Sequence, residues 1–198
     1  DQIAANWGVF ESATPQPAGY NPTVEYRFRN GRYVDFTAHR IRVDRLLEDV
    51  KAYVRSRPRR LNGQRVNLNN IGWRLVHENQ TRYIGERVAA WQLDLDPDTR
   101  HWDRRVTVKL PDALKSAGAY LVVAKIQEGN TARIIIWISD TVIVKKPLKE
   151  RMLYYVADAV TGRPLGAVNV DFFGYRSENI RGTQRYRIRH THLQRKTD

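Results

Sequence analysis

Residues 119–147, AYLVVAKIQEGNTARIIIWISDTVIVKKP, constrain the fold of this chain more than any other stretch. An apolar run over 119–126 is broken by Glu128, Gly129 and Asn130, and a second run begins at Arg133. Asp140 interrupts again before Val142, Ile143 and Val144. Runs this short, rich in β-branched residues and closed by Gly, Asn or Asp, are strand-turn-strand signals and not helix signals. The stretch reads as consecutive strands of a β-sandwich, a scaffold that usually serves recognition.

Composition bounds the rest. A chain of 198 residues, 41% hydrophobic and 28% charged, has ample material for a core and is not the composition of a disordered protein. No run of about eighteen apolar residues offers a helical membrane span. The start, Asp1-Gln2-Ile3, carries neither an initiator Met nor the basic and apolar regions of a signal peptide, so a processed chain or a piece of something longer is expected. Zero cysteines removes disulfides, Cys-ligated zinc, iron-sulfur clusters and thiol nucleophiles together. The net charge of +13 is concentrated: residues 27–65 hold twelve basic and four acidic residues, and 176–196 hold seven and one. Such segments are an electrostatic footprint for nucleic acid or an anionic surface, or else the solvent face of alternating strands. Tyr26-Arg27-Phe28-Arg29 and Tyr186-Arg187-Ile188-Arg189 show that alternation, and no nucleic-acid motif accompanies the charge.

Along the chain, 1–10 reads as a short helical turn with Ile3, Trp7 and Phe10 on one side, and 12–22 as a Pro/Gly/Asn-rich connector. A strand over 23–29, a hairpin turn at Asn30-Gly31 and a returning strand over 32–41 follow. Val43, Leu46, Leu47, Val50 and Val54 then repeat with helical spacing, predicting a helix over 44–55 that Pro58 keeps from extending. Strands are expected at 71–76, 88–95 and 104–110. Lys145-Lys146-Pro147 reads as a seam, followed by strands at 152–157, 167–173 and 185–194 around a turn at 161–164. Three strands do not close a sandwich, which needs roughly seven, so the later module is expected to be partial. The expected fold class is thus all-β: an immunoglobulin-like sandwich over 23–146 carrying one inserted or flanking α-helix. A connector over 1–22 precedes it, and a partial second β domain occupies 147–198.

Physical roles follow for the turns. Gly118 relieves crowding where the chain re-enters the sheet, Gly162 and Pro164 fix a tight reversal, and Asp158 is placed to brace it through its side chain.

These residues also carry a resemblance. Arg27-Phe28-Arg29-Asn30-Gly31, Leu46-Leu47-Glu48-Asp49-Val50-Lys51 and Gly118-Ala119-Tyr120-Leu121 occur in that order. They are followed by Asp140-Thr141-Val142-Ile143-Val144-Lys145-Lys146-Pro147 and by Tyr155 to Leu165, YVADAVTGRPL. Over 20–198 the chain resembles the amino-terminal macroglobulin-like region of bacterial alpha-2-macroglobulin family proteins, especially large planctomycete-type members. The resemblance implies a macroglobulin-type sandwich, with Thr-Gly-x-Pro opening a new domain. It also implies a non-catalytic scaffold segment of a protease trap in the periplasm, at the cell surface or secreted. The implied partners are neighbouring domains of the parent protein and, through the whole protein, target proteases. Such proteins carry a bait region, and many a Cys-containing thioester; with no Cys, this chain holds no thioester.

Chemistry has weak footholds. His190 and His192 share a strand face at a spacing that suits a metal, without a third ligand. His101 lies near Asp98 and Asp103 as an acid-base cluster would. Asp94, Asp96 and Asp98 alternate like calcium ligands, but Pro97 and the missing Gly and Glu depart from an EF-hand loop. Asn79-Gln80-Thr81 matches a glycosylation acceptor that arises readily by chance. Trp73, Trp91, Trp102 and Trp137 suggest a sugar platform, although strand alternation puts Trp91 and Trp137 in the core. No residue is assigned to catalysis, to a cofactor or to a metal, and neither cofactor nor nucleic acid is expected. The remaining classes are an independent adhesion or carbohydrate-binding sandwich and a basic nucleic-acid binder, with an enzyme more distant.

Overall fold

In the computed structural model, residues 4–67, 75, 81–181 and 186–198 are described. The expected strand at 71–76 and the Asn79-Gln80-Thr81 acceptor lie largely outside them. The chain divides into two units: unit 1, residues 1–42 and 75–140, and unit 2, residues 43–74 and 141–198.

Unit 1 is a β-sandwich. Its smaller sheet holds β1 (Trp7–Phe10), β3 (Thr23–Arg29) and β6 (Arg104–Lys109) in the order β1-β3-β6. Its larger sheet holds β2 (Gln16–Pro17), β4 (Tyr33–Ile41), β5 (Ile84–Asp94), β7 (Gly118–Ile126) and β8 (Thr131–Ser139) in the order β2-β8-β7-β4-β5. Among the described strands only the two-residue β2 pairs in parallel. Alternation places Val24, Tyr26 and Phe28 of β3 inward, where they meet Val34, Phe36 and Ala38 of β4 and Tyr120, Val122 and Ala124 of β7. The Tyr26 and Phe36 rings pack edge to face at 5.7 Å across this core.

Two local expectations are corrected. The first residues are not a helical turn: β1 pairs antiparallel with β3 from Trp7↔Arg29 to Phe10↔Tyr26. Pairing satisfies the free edge of β3, and Phe10 settles 5.3 Å from Tyr26. Asn30-Gly31 does not join a hairpin either, because β3 pairs with β1 and β6 whereas β4 pairs with β5 and β7. Asn30 adopts a left-handed φ of 64°, and its side chain reaches back to the Ala5 carbonyl. The turn carries the chain from one sheet to the other. Both flanking strands bury alternate apolar side chains, and facing sheets let the two sets share one core.

The hairpin expected at Glu128-Gly129-Asn130 is present, joining β7 to β8 with register from Gly118↔Ile138 to Lys125↔Thr131. Beyond Asp140 the chain leaves that sheet, and among the described residues β9 (Thr141–Pro147) pairs only with β10 (Met152–Asp158). The Lys145-Lys146-Pro147 seam therefore falls inside β9, opposite Tyr154, Leu153 and Met152.

Unit 2 contains that ribbon and a second one of β11 (Asn169–Asn179) and β12 (Tyr186–Lys196). It also holds α1 (Val43–Arg55) and the one-turn α2 (Gly63–Val66). The predicted stripe of α1 is realised, with Leu46, Val50 and Val54 buried. No described helix is long and apolar enough to cross a membrane.

Candidate interaction surface

Unit 2 exposes what unit 1 encloses. Strands β9 and β10 are apolar on both faces, because Val142, Val144, Leu153 and Tyr155 point one way while Ile143, Tyr154 and Val156 point the other. Val144 and Leu153 are 56% and 50% exposed. Ladder pairing fixes the ribbon, yet among the described residues no further strand pairs with either of its edges.

The second face meets the other ribbon. Tyr154 of β10 packs edge to face on Phe172 of β11 at 4.7 Å. Between the ribbons opens a cleft of about 800 Å³ whose apolar walls include Tyr154, Val156, Leu165, Val170, Phe172 and Leu193. Arg195 and Lys196 also line it. It has the character of half a sandwich core, with aromatic and aliphatic walls and cations at its margin.

The connection after β10 is tightly built. Asp158 Oδ1 accepts from the Val160 and Thr161 amides at 3.1 and 2.7 Å and from the Thr161 hydroxyl at 2.8 Å. Those bonds, led by the Thr161 amide, hold the Asp158 carboxyl below the usual carboxylate range. Gly162 sits at φ 68°, where a Cβ would be strained. The bracing role of Asp158 and the reversal at Gly162 are thus realised.

On the opposite face of the β11–β12 ribbon, the histidine pair meets an aspartate and an aromatic ring. His192 Nε2 lies 2.5 Å from Asp171 Oδ1, while the second Asp171 oxygen accepts from Lys51 Nζ at 2.9 Å. Lys51 also donates to Glu48 at 3.1 Å. The Lys51 bond holds the Asp171 carboxyl down, and the two carboxylates, Asp171 foremost, hold the Lys51 ammonium up. His190 stacks 5.9 Å from Phe173, which also meets the His192 ring at 6.3 Å and the Arg55 guanidinium at 5.5 Å. The Asp171 carboxylate is thus shared between His192 and Lys51. No group of three metal-binding side chains occurs among the described residues.

The other candidates are dispersed as well. His101 Nδ1 bonds to Asn30 Oδ1 at 2.7 Å and not to a carboxylate. Asp98 is held by Arg100 at 3.2 Å, Asp103 by Arg29 at 2.7 Å and Asp96 by Arg104 at 2.5 Å. Asp96, Asp98 and Asp103 are thus each engaged by arginine and not by His101 or by one another. Trp91 stacks on Phe36 at 5.0 Å, packed against the core as alternation implied. Trp137 points outward from β8 instead, since Ala132, Ile136 and Ile138 take the inward positions. Trp102, 65% exposed, sits under the Arg100 guanidinium. The described tryptophans thus form no flat platform. The apolar cleft was hidden from sequence reasoning, because burial of a strand residue depends on whether a second layer covers it.

No protein-family model and no curated protein sequence matches the chain. Among solved structures it is similar to native alpha-2-macroglobulin from Escherichia coli spanning domains MG0-NIE-MG1, with TM-score 0.57 and 15% identity over 98% of this chain. It is similar also to the same protein spanning domains NIE-MG1, with TM-score 0.54 and 15% identity, covering 98% of this chain and 88% of that one. The chain spans 58% of the length of the first of these structures. At that identity the likeness is one of fold: an immunoglobulin-like β-sandwich architecture of macroglobulin type, as the strand pattern and the residue resemblance led us to expect.

Proposed function

We propose that this chain is a non-catalytic structural and interaction segment of a bacterial alpha-2-macroglobulin-like protease inhibitor. The observation that carries the reading is the match in fold, over nearly the whole chain, to a two-domain stretch of such a protein. The planctomycete-type assignment rests on the sequence signature alone. In this reading unit 1 is a macroglobulin-like sandwich, and unit 2 is part of a second that neighbouring domains or further strands complete across the open cleft. Target proteases are met by the whole inhibitor, outside the cytoplasm, in the periplasm or at the cell surface.

The uncovered faces of β9 and β10 support an interface role, since contiguous exposed apolar area on a soluble unit marks a contact surface. The test has two readouts on the purified chain. Incubated with peptide, ester and glycoside substrates and with a set of endopeptidases, it is expected neither to turn over substrate nor to inhibit. Turnover abolished by one point substitution would overturn the reading. The apolar dye ANS is expected to brighten on the native chain, and Phe172→Ser with Leu193→Ser to remove most of that signal. A chain that leaves ANS dark has no open apolar cleft, and the interface role fails.

A further inference from the structure

We infer that the loop following α1, centred on Arg57, Arg59 and Arg60, is a docking point for the headgroup phosphates of an anionic lipid bilayer. The charge of the molecule is unevenly divided. Unit 2 contains twenty Lys and Arg against eight Asp and Glu, whereas unit 1 contains fourteen against thirteen. Nearly all of the net +13 therefore belongs to unit 2.

Within unit 2 the density peaks at the end of α1. The eighteen residues 50–67 hold Lys51, Arg55, Arg57, Arg59, Arg60 and Arg65 and no acidic residue. Arg57, Arg59 and Arg60 are exposed, and none of them forms an ion pair with a described residue. This differs from the arginines of unit 1 named above, several of which are matched to an aspartate. Five of the six cations are Arg, whose forked guanidinium suits phosphate oxygens better than a point charge does.

The loop is fixed and not a loose tail. The Tyr53 hydroxyl accepts from the Asn62 amide at 2.9 Å and lies 3.4 Å from the Arg60 carbonyl, which it bonds. The Arg65 guanidinium covers the Tyr53 ring at 4.3 Å. Asn62 caps α2 by accepting from the Gln64 amide. Holding three guanidinium groups on a short anchored loop lowers the ordering cost of meeting several phosphates together.

A bilayer suits these features better than nucleic acid. Tyr53, the aromatic nearest the cluster in sequence, has one ring face covered by Arg65 and its hydroxyl engaged by the loop backbone, which makes it a poor platform for a base. Elsewhere in this unit a second basic segment, Lys145, Lys146, Lys149 and Arg151, has exposed large side chains next to it in sequence that include the aliphatic Val144, Leu148, Met152 and Leu153. Aliphatic groups beside cations fit a headgroup boundary and gain nothing from a phosphodiester groove.

The test uses the whole chain and sedimentation with vesicles of phosphatidylcholine, with and without phosphatidylglycerol. Binding is expected only to the anionic vesicles, weakening as salt is raised. The triple variant Arg57→Gln, Arg59→Gln, Arg60→Gln is expected to lose roughly a hundredfold in affinity, the loss expected for three surface cations. A control triple in unit 1, Arg32→Gln, Arg87→Gln, Arg133→Gln, removes the same charge and is expected to bind within a few-fold of the parent. Circular dichroism verifies that both variants keep the parent spectrum; if the first does not, Arg59→Gln alone is read in its place, with a loss of roughly fivefold expected. Equal losses in both triples, or no binding to anionic vesicles, would overturn the inference. Tighter binding to duplex DNA than to vesicles overturns it as well.

Discussion

Units 1 and 2 are built from the same kind of strand, and they differ in whether a second layer covers it. In unit 1, β3 and β4 alternate buried side chains with half-buried or exposed ones along their length, and the apolar set closes around Tyr26, Phe36 and Tyr120. In unit 2, β9 is exposed from Val142 onward, although its Val142-Ile143-Val144 run is as apolar as any strand of unit 1. Burial is therefore a property of layering and not of the strand. The charge divides along the same line, nearly balanced in the closed sandwich and strongly positive in the open unit.

The largest effect expected from this contrast comes from truncating one phenylalanine in each unit. Phe36 is enclosed between Tyr26, Phe10 and Trp91, so Phe36→Ala is expected to cost about 3–5 kcal/mol in urea unfolding. Phe172 lines an open cleft, so Phe172→Ala is expected to cost about 1 kcal/mol or less. Comparable losses at the two sites would show that unit 2 is closed in solution, and the contrast would collapse.

A smaller effect sharpens how tightly unit 1 is filled. The Tyr26 hydroxyl is buried with no hydrogen-bond partner among the described residues, and burial pushes its pKa up to about 12. Gly8 makes room for it, since a Cβ at that position would overlap the hydroxyl oxygen. Gly8→Ala is accordingly expected to cost about 1–3 kcal/mol. Tyr26→Phe removes an unpaired polar atom and is expected to be neutral or stabilising. The double variant is expected to recover most of the Gly8→Ala loss; a strictly additive result would show that the two residues do not press on each other. No corresponding crowding is expected at Gly162 in unit 2, where no atom of the described residues lies within 4 Å of the point a Cβ would occupy.

How much was legible from sequence follows from the same physics. Period-2 alternation located β3, β6 and β12, short apolar runs closed by turn residues located β7, β8 and β10, and period-3.6 spacing located α1, because each pattern records which side chains must be buried together. The alternation did not record which sheet a strand joins. Asn30-Gly31 is a turn in either case, and only the shared core of Phe28 and Phe36 shows that it bridges sheets and makes no hairpin. Trp7–Phe10 is too short to carry a period, and its strand state is imposed by the edge of β3. For the candidate sites, spacing brought His190 and His192 onto one face but did not reveal that Lys51, far away in sequence, would claim Asp171. The basic loop was visible as a charge run, whereas its anchoring through Tyr53 was not.

The gentlest probe of the contrast is acid. In unit 2 the turn after β10 depends on an ionised Asp158, whose folded-state pKa is lowered mainly by the Thr161 amide. A lowered pKa means that its stabilisation is fully present above the unfolded aspartate value of about 3.9 and is lost as pH falls through the lower folded value. The Thr161 amide resonance is expected to stay constant above about pH 5 and to shift with a midpoint below the ordinary aspartate range. Asp158→Asn, which keeps an acceptor oxygen and removes the charge, is expected to abolish that titration while leaving the Gly162 reversal in place. Unit 1 supplies the reference, because its core titrates nothing in this window: amide resonances of Val122 and Ala124 in β7 are expected to hold still. If those core resonances move together with Thr161, acid is opening the closed sandwich as a whole. The two units would then respond as one cooperative body, and the open unit would not be yielding first.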